Sequence, residues 1–207
     1  MLNMDYVSAL ILGLVQGITE FLPISSTGHL VMVREVLGLD EVNQLAIDAV
    51  LHLATLLAVI VYFRQDLWVL GQTLVRKLGR LPVNDKDVLL LQALAIGTTP
   101  AVVLGLLLES VITEYLYSAT TVAVVLFLAS IFFMYAEWRY YVTPPHGTLD
   151  IKRGFLIGCF QVLALLPGFS RAGATIAGGM LLGLNRHEAS RFSFLLAIPI
   201  IAGVGSK

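Results

Sequence analysis

The sequence predicts an all-α polytopic membrane protein with inverted-topology repeats, in which two re-entrant helix hairpins meet near the bilayer midplane. The prediction depends on the composition, on two apolar segments with polar breaks, and on the distribution of basic residues. Of the 207 residues, 57% are hydrophobic and 13% are charged, about half the charged share of a soluble domain. With a mean hydropathy of +0.87 and a net charge of −1, the composition excludes a soluble globular protein, a disordered chain and a nucleic-acid binder.

Three apolar segments are long enough to span a membrane, which takes roughly 20 mostly apolar residues. They are residues 45–63, 88–108 and 119–138. A fourth apolar segment, 192–204, is shorter and is predicted to be a partial span. Because the N-terminus lacks a basic region, we expect no cleaved signal peptide. The single cysteine excludes a disulfide framework and a cysteine-rich metal site.

Two further apolar segments, 7–39 and 154–184, are each interrupted by a run rich in Pro, Gly and hydroxyl residues. Irregular backbone at membrane depth is tolerated only where it is buried in protein or lines a wet cavity. We therefore predict that each segment is a re-entrant hairpin, with a helix on either side of a polar tip.

The two predicted hairpins share short motifs. Pro-x-x-Ser begins at Pro23 and Pro167, and Gly-x-x-Gln begins at Gly13 and Gly158. We interpret the chain as one membrane domain, 1–207, with a first repeat over about 1–138 and an incomplete second repeat over 154–207. Three spans follow the first hairpin and one partial span follows the second, so repeat symmetry predicts a fragment that lacks about two and a half spans. Broken helices in inverted repeats are typical of sites at the repeat interface.

The basic residues predict how the chain is oriented in the membrane. Ten of the 13 Lys and Arg residues lie in three predicted linkers, the segments 64–87, 139–153 and 185–191, whereas the predicted linkers 39–44 and 109–118 contain none. The positive-inside rule places the three basic segments in the cytoplasm and the segment 109–118 in the periplasm. The first hairpin is then expected to enter the membrane from outside and the second from inside.

The first hairpin carries polar residues that the membrane makes costly, since a charge at the bilayer centre costs at least ~2.5–3.5 kcal/mol. Gln16 and Glu20 lie one turn apart on one helix face, a pair that suits metal binding or general-base catalysis. The alternative is a polar clasp between helices. The tip that follows contains three hydroxyl residues that can cap the next helix and a histidine that adds an acid–base group: Ser25, Ser26, Thr27 and His29.

The second hairpin contains Ser170, Arg171 and Thr175. We interpret Arg171 as the only basic residue in an apolar region, and its guanidinium suits a phosphate held by two parallel hydrogen bonds. A structural pairing with Glu20 is the alternative. Ser170 can cap the following half-helix, whose N-terminus also favours anions.

Two further polar features fall outside the tips. Asp48 and His52 are one turn apart within the segment 45–63, and they are interpreted either as a self-satisfied pair or as support for the site. Glu137 is expected to reach the membrane interface or to pair with Arg139.

Together, the two tips supply a carboxylate, a histidine, hydroxyls, an arginine and two helix N-termini. This set is typical of phosphoryl transfer and, at membrane depth, indicates a lipid phosphate or diphosphate as substrate. A membrane transporter or lipid-carrier flippase with inverted repeats is the alternative, since broken helices fit it as well. A noncatalytic lipid-binding or scaffold protein is a third hypothesis.

Residues 16–29, QGITEFLPISSTGH, and 166–175, LPGFSRAGAT, closely resemble the two signature motifs of the undecaprenyl-diphosphate phosphatase family, also called the bacitracin-resistance proteins. The resemblance extends through the chain. It implies a bacterial cytoplasmic-membrane enzyme that converts undecaprenyl diphosphate to the monophosphate carrier used in cell-wall synthesis. It also implies a divalent cation, Mg²⁺ or Ca²⁺, a site accessible from the periplasmic side, contact with membrane lipids and a possible homodimer.

The resemblance also implies roles for individual residues. Glu20, His29, Ser170, Arg171 and Thr175 match catalytic positions of the family, and Ser26 matches a proposed nucleophile, a role also given to His29. From the resemblance and the residue chemistry together, we expect these assignments: Glu20, Ser26, His29 and Arg171 as catalytic residues; Gln16, Ser25, Thr27, Ser170 and Thr175 as substrate-binding residues; Glu20 as the metal ligand. Gln16 stands where some members of the family have Glu.

Overall fold

The computed structural model describes residues 6–39, 44–116 and 118–204. These residues form nine α-helices and one 3₁₀ turn, and no strand occurs among them, which confirms the predicted all-α class. The helices are α1 (Tyr6–Thr19), α2 (Ser26–Leu37), α3 (Gln44–Tyr62), α4 (Arg64–Leu78), α5 (Asp85–Tyr115), α6 (Ala119–Val142), α7 (Ile151–Gln161), α8 (Arg171–Leu181) and α9 (Arg186–Val204), with the 3₁₀ turn at Val162–Leu165.

Two helices have the length and composition of complete membrane spans. Within α5 and α6, the segments Asp85–Leu108 and Thr120–Val142 each have a mean hydropathy of 1.9. Helices α3 and α4 form a further candidate span as a pair, Ala46–Tyr62 with Arg64–Leu78, and they are bent by 76° at the break between them. Most of the surface of both spanning segments is exposed, as expected for helices that face lipid. The chain is therefore a polytopic membrane protein.

Both interrupted segments form a helix, a break and a second helix, as predicted. In the first, α1 ends at Thr19 and α2 begins at Ser26; in the second, α7 passes through the 3₁₀ turn before α8 begins at Arg171. A serine caps the second helix of each hairpin: Ser25 Oγ accepts from the Gly28 N–H at 3.4 Å, and Ser170 Oγ accepts from the Gly173 N–H at 3.1 Å. The depth of the tips and the inverted orientation stay predictions.

Three segments predicted as linkers are partly helical. Helix α4 occupies much of 64–87, α5 continues to Tyr115 inside 109–118, and α9 begins at Arg186 inside 185–191. The interpretation of 64–87 as a linker is wrong because α4 is a helix with a buried face, which includes Leu70 and Thr73, and its remaining residues are a mixture of charged, polar and apolar side chains. A hydropathy window averages over all faces of a helix, so the mean hydropathy of such a helix is low even though one face is buried.

The segment 185–191 contacts both of the other basic segments, through Arg191 and through the Arg186 N–H, which donates to the Tyr140 hydroxyl at 3.4 Å. These contacts agree with the predicted placement of the three segments on one side of the membrane. Arg191 of α9 forms an ion pair with Asp66 of α4. Arg153 Nε donates to the Leu182 carbonyl at 3.1 Å, which joins α7 to the end of α8. Glu137 forms an ion pair with Arg186, so the predicted pairing of Glu137 with Arg139 is wrong. The pairing crosses between helices because the start of α9 lies beside the end of α6, where the Arg186 guanidinium also stacks on the Tyr140 ring.

The second hairpin is anchored on α5 by glycines. A Cβ on Gly158 would lie 2.1 Å from the Gly97 carbonyl oxygen, so the two backbones approach more closely than any other residue would permit. Around this contact, apolar side chains of α5, α7 and α9 form the main core, among them Ala93, Ile157, Phe192 and Leu196. This packing holds α7, and therefore the second tip, in place.

Candidate active site

The Glu20 carboxylate is the centre of a buried hydrogen-bonded cluster at the meeting point of the two tips. Its Oε2 accepts a hydrogen bond from Ser26 Oγ at 2.6 Å and another from Gln16 Nε2 at 3.1 Å. Its Oε1 accepts from an Arg171 guanidinium nitrogen at 2.7 Å. The structure thus brings together four of the residues that the sequence analysis singled out and places the two tips in contact with each other.

The first hairpin positions this carboxylate through the end of α1. The Glu20 N–H donates to the Gln16 carbonyl at 2.9 Å, so Glu20 continues the helical turn and lies above Gln16. Ser25 then adopts a positive φ of 63°, which non-glycine residues rarely adopt. This conformation reverses the chain and directs Ser26, the first residue of α2, back to Glu20. Backbone strain of this kind is concentrated at functional sites.

The second hairpin supplies the guanidinium from the first residue of α8. Arg171 donates to Glu20 and also to the Ala197 carbonyl of α9 at 3.3 Å. Next to it, Ser170 Oγ donates to the Leu22 carbonyl at 3.4 Å while it caps α8. The loop before α8 turns at Gly168, with a φ of 100° and a Cβ position 2.8 Å from the Val122 carbonyl oxygen. Only glycine suits both conditions.

His29 and Thr27 follow Ser26 at the start of α2, and within the described part of the chain neither forms a hydrogen bond with Glu20. His29 Nδ1 lies 2.8 Å from the Ser25 carbonyl oxygen. Because a carbonyl only accepts hydrogen bonds, Nδ1 carries a hydrogen there. Both residues are partly exposed, unlike Ser25 and Ser26, so they lie on the more open side of the tip.

Thr175 lies away from the cluster, on the face of α8 that packs against α9. It is fully buried, and its hydroxyl is 2.5 Å from the Ser193 hydroxyl and 2.9 Å from the Arg171 carbonyl oxygen. The sequence analysis did not single out Ser193. A serine two residues after the charged Arg191, on a helix with no regular polar pattern, gives no local signal of this contact.

The Asp48 and His52 side chains do not pair with each other. His52 Nδ1 lies 2.8 Å from the Asp48 backbone carbonyl oxygen, and its Nε2 lies 3.9 Å from Glu20 Oε2. Asp48 instead forms an ion pair with Arg34 of α2. The interpretation as a self-satisfied pair is therefore wrong, whereas His52 does adjoin the site.

Arg34 also corrects the view that Arg171 is the only buried basic residue. Arg34 is only 5% exposed, and its pairing with Asp48 neutralises the charge that burial would otherwise make costly. Its signal in the sequence is a lone arginine within an apolar half-helix, 14 positions before an aspartate in the next helix.

Two buried glutamines retain amide atoms that have no hydrogen-bond partner among the described residues. They are Oε1 of Gln16 and both Oε1 and Nε2 of Gln161, the residues that end the Gly-x-x-Gln motif in each repeat. Buried polar atoms without partners are uncommon and indicate a bound water, an ion or a functional role.

A divalent cation would have few protein ligands here. The described residues contain no cluster of three or more His, Cys, Asp or Glu side chains able to hold a metal ion. However, Mg²⁺ is commonly held by one or two carboxylates together with substrate phosphates. The Glu20 carboxylate and the unpartnered Gln16 Oε1 are adjacent oxygen donors of this type. They fit a cation that binds with the substrate, but not a closed protein cage.

The sequence pattern of the family "Bacitracin resistance protein BacA" matches residues 9–207. The chain belongs to this family. The matched region includes both hairpins and therefore every residue of the Glu20 cluster. The chain is also 39% identical, over 202 residues, to "Undecaprenyl-diphosphatase 1" of Pseudoalteromonas translucida (strain TAC 125). That alignment covers 98% of this chain and 75% of the relative.

Proposed function

We propose that this BacA-family chain is a membrane-embedded hydrolase that converts undecaprenyl diphosphate to undecaprenyl phosphate and inorganic phosphate. One observation carries the proposal: the Glu20 carboxylate bonds at once to a hydroxyl of one hairpin, Ser26, and to the guanidinium of the other, Arg171. A base, a nucleophile and an anion-binding group in mutual contact are the parts that phosphoryl transfer needs. The name of the 39% identical relative supports the same activity.

The diphosphate is held where the second helices of the two hairpins begin. Arg171 offers parallel hydrogen bonds to phosphate oxygens, and the first N–H groups of α2 and α8 favour negative charge. Ser25, Thr27 and Ser170 lie at these two helix starts and are proposed to contact the substrate, together with Gln16. Thr175 is proposed to contribute to substrate binding indirectly, because its hydroxyl donates to the Arg171 carbonyl.

Ser26 is the proposed nucleophile. Glu20 accepts the Ser26 hydroxyl proton as Oγ forms a bond to the terminal phosphorus. The bond from that phosphorus to the bridging oxygen breaks, and undecaprenyl phosphate leaves with the electron pair. His29 then takes a proton from a water molecule, which attacks the phosphoserine phosphorus. The bond from phosphorus to Oγ breaks, Glu20 returns its proton to Oγ, and phosphate is released.

A divalent cation is part of the proposal. Glu20 and the Gln16 amide oxygen would hold it, and when bound it neutralises charge on the diphosphate. The proposed setting is the bacterial cytoplasmic membrane, where the product serves as the lipid carrier for cell-wall synthesis, and the family description associates such proteins with bacitracin resistance. We further propose access from the periplasmic side and assembly as a homodimer. A transporter would need no hydroxyl–carboxylate–guanidinium contact.

The proposal is tested by phosphate release from undecaprenyl diphosphate with the detergent-solubilised protein. Ser26→Ala should abolish release, and mass spectrometry of acid-quenched wild type should find phosphate on Ser26. Ser130→Ala is the control, because the Ser130 hydroxyl is exposed and bonds only within α6. Phosphate found on His29 would reassign the nucleophile and retain the hydrolase, whereas a wild type that releases no phosphate would overturn the function.

A further inference from the structure

Helix α4 leaves α3 at an angle of 76°, immediately after the buried Phe63. Helix α3 has the length of a membrane span, whereas α4 has 15 residues and is roughly 22 Å long. A helix turned by this angle from a spanning helix runs nearly parallel to the membrane surface. Its contacts with α3 and α5 and the ion pair between Asp66 and Arg191 hold it in this direction.

Helix α4 carries a second apolar stripe that the protein does not bury. Leu70 faces the core, but Trp68, Val75 and Leu78 are 69%, 69% and 78% exposed. With Gly71 they occupy the positions i, i+3, i+7 and i+10, which form one helix face. No other described residue covers this stripe, so it requires an apolar environment outside the described chain.

Three cations are grouped at the end of the same helix. Arg76 and Lys77 lie in its last turn, and Arg80 follows. All three are exposed, and none forms an ion pair with a carboxylate within the residues that the structure describes. The Arg80 N–H donates to the Lys77 carbonyl at 3.1 Å, a turn that keeps the third cation beside the other two.

We propose that α4 is an interfacial helix that binds anionic phospholipid headgroups. The Trp68 stripe enters the boundary between headgroups and acyl chains, and Arg76, Lys77 and Arg80 contact lipid phosphates. In-plane orientation, an apolar stripe, a tryptophan and clustered cations are together typical of such helices. A lipid surface is favoured over a protein partner because the stripe continues directly from an apolar spanning helix. This inference is independent of the proposed phosphatase activity.

The position of the stripe can be measured with Trp68 itself. The chain has two tryptophans, Trp68 and Trp138, so Trp138→Phe leaves one fluorophore. In vesicles of phosphatidylcholine brominated at different depths, Trp68 should be quenched most by bromine near the headgroup end of the acyl chain. If bromine quenches Trp68 at none of these depths, the proposal is overturned. A bound protein that shields the indole from lipid would give that result.

Headgroup binding is tested by phosphatidylglycerol retained on the purified protein, counted by native mass spectrometry. Arg76→Gln/Lys77→Gln should lower affinity for this lipid by about ten-fold or more at low ionic strength, since each cation near an anionic surface contributes several-fold. The matched control is Arg139→Gln/Lys152→Gln, which removes two exposed cations elsewhere. Equal loss in both variants, or no loss in either, would contradict a site on α4. A melting temperature near wild type confirms that each variant is folded.

Discussion

Glu20 and Arg171 are separated by 151 positions in the chain, and their side chains lie 2.7 Å apart. Both side chains are largely buried, where an unpaired charge is costly, and each neutralises the charge of the other. The pair is also the polar link between the two hairpin tips, beside the bond from Ser170 to Leu22. The same contact therefore joins the two halves of the fold and assembles the candidate site.

Replacement of Arg171 by Lys tests whether its hydrogen-bonding geometry matters to the reaction. We expect kcat for phosphate release to fall by about 10²–10³, the usual cost of one lost donor to a transition-state anion. The charge is kept, so the melting temperature should stay near wild type. Arg191→Lys is the control, because Arg191 forms its ion pair at the surface. Near-normal kcat in Arg171→Lys would show that Arg171 serves only to neutralise Glu20.

Two glycines at matched repeat positions differ in their surroundings. A Cβ on Gly158 would lie 2.1 Å from backbone, whereas a Cβ on Gly13 has no atom within 4 Å. Gly158→Ala should therefore destabilise the protein by about 1–3 kcal/mol or more through forced backbone movement. Gly13→Ala should be neutral or stabilising. Thermal unfolding in detergent compares the two, and equal melting temperatures would contradict the close contact between α5 and α7.

The ion pair between Arg34 and Asp48 predicts strongly non-additive substitutions. Arg34→Leu alone leaves a partly buried carboxylate unpaired, which typically costs about 3–5 kcal/mol. The double change Arg34→Leu/Asp48→Leu removes both charges and should be clearly more stable than either single variant. A double-mutant cycle on the free energy of unfolding measures the coupling. Additive effects would mean that the two residues do not interact.

Thr175 and Ser193 should behave as one buried hydroxyl pair. Thr175→Val removes one hydroxyl and leaves Ser193 with an unsatisfied group, at a cost of about 1–3 kcal/mol. Adding Ser193→Ala should recover part of that loss. Thr99→Val is the control, since Thr99 is exposed and bonds only within α5. If the second substitution adds a further full loss of stability, the two hydroxyls are not coupled.

Much of the fold follows from local features of the sequence. The length of an apolar run indicates a span, and the Pro and Gly residues at Pro23, Pro167 and Gly168 mark the breaks, because neither residue continues a helix well. The contact between the tips was predictable because charges in a membrane require partners. With Arg171 interpreted as the one buried cation of the apolar regions, Glu20 was its natural partner.

The wrong predictions concern relationships between helices. Asp48 pairs with Arg34, and Glu137 with Arg186, because the rotation and crossing of helices decide which side chains meet. No helical or strand periodicity connects such positions. Helix α4 was missed for a related reason: its buried face is specified by contacts with α3 and α5, whereas the charged residues mixed with apolar ones along it keep its mean hydropathy low.

The bond between Glu20 and Arg171 has a consequence for ligand binding. In this structure a carboxylate already occupies the position that an anionic ligand needs at the guanidinium. An incoming phosphate oxygen that takes the same nitrogen must displace Glu20 Oε1, so binding is an exchange of partners and its affinity reflects the difference between two contacts. The exchange also separates the Glu20 carboxylate from its counterion and leaves it with the hydroxyl of Ser26, which donates to its other oxygen.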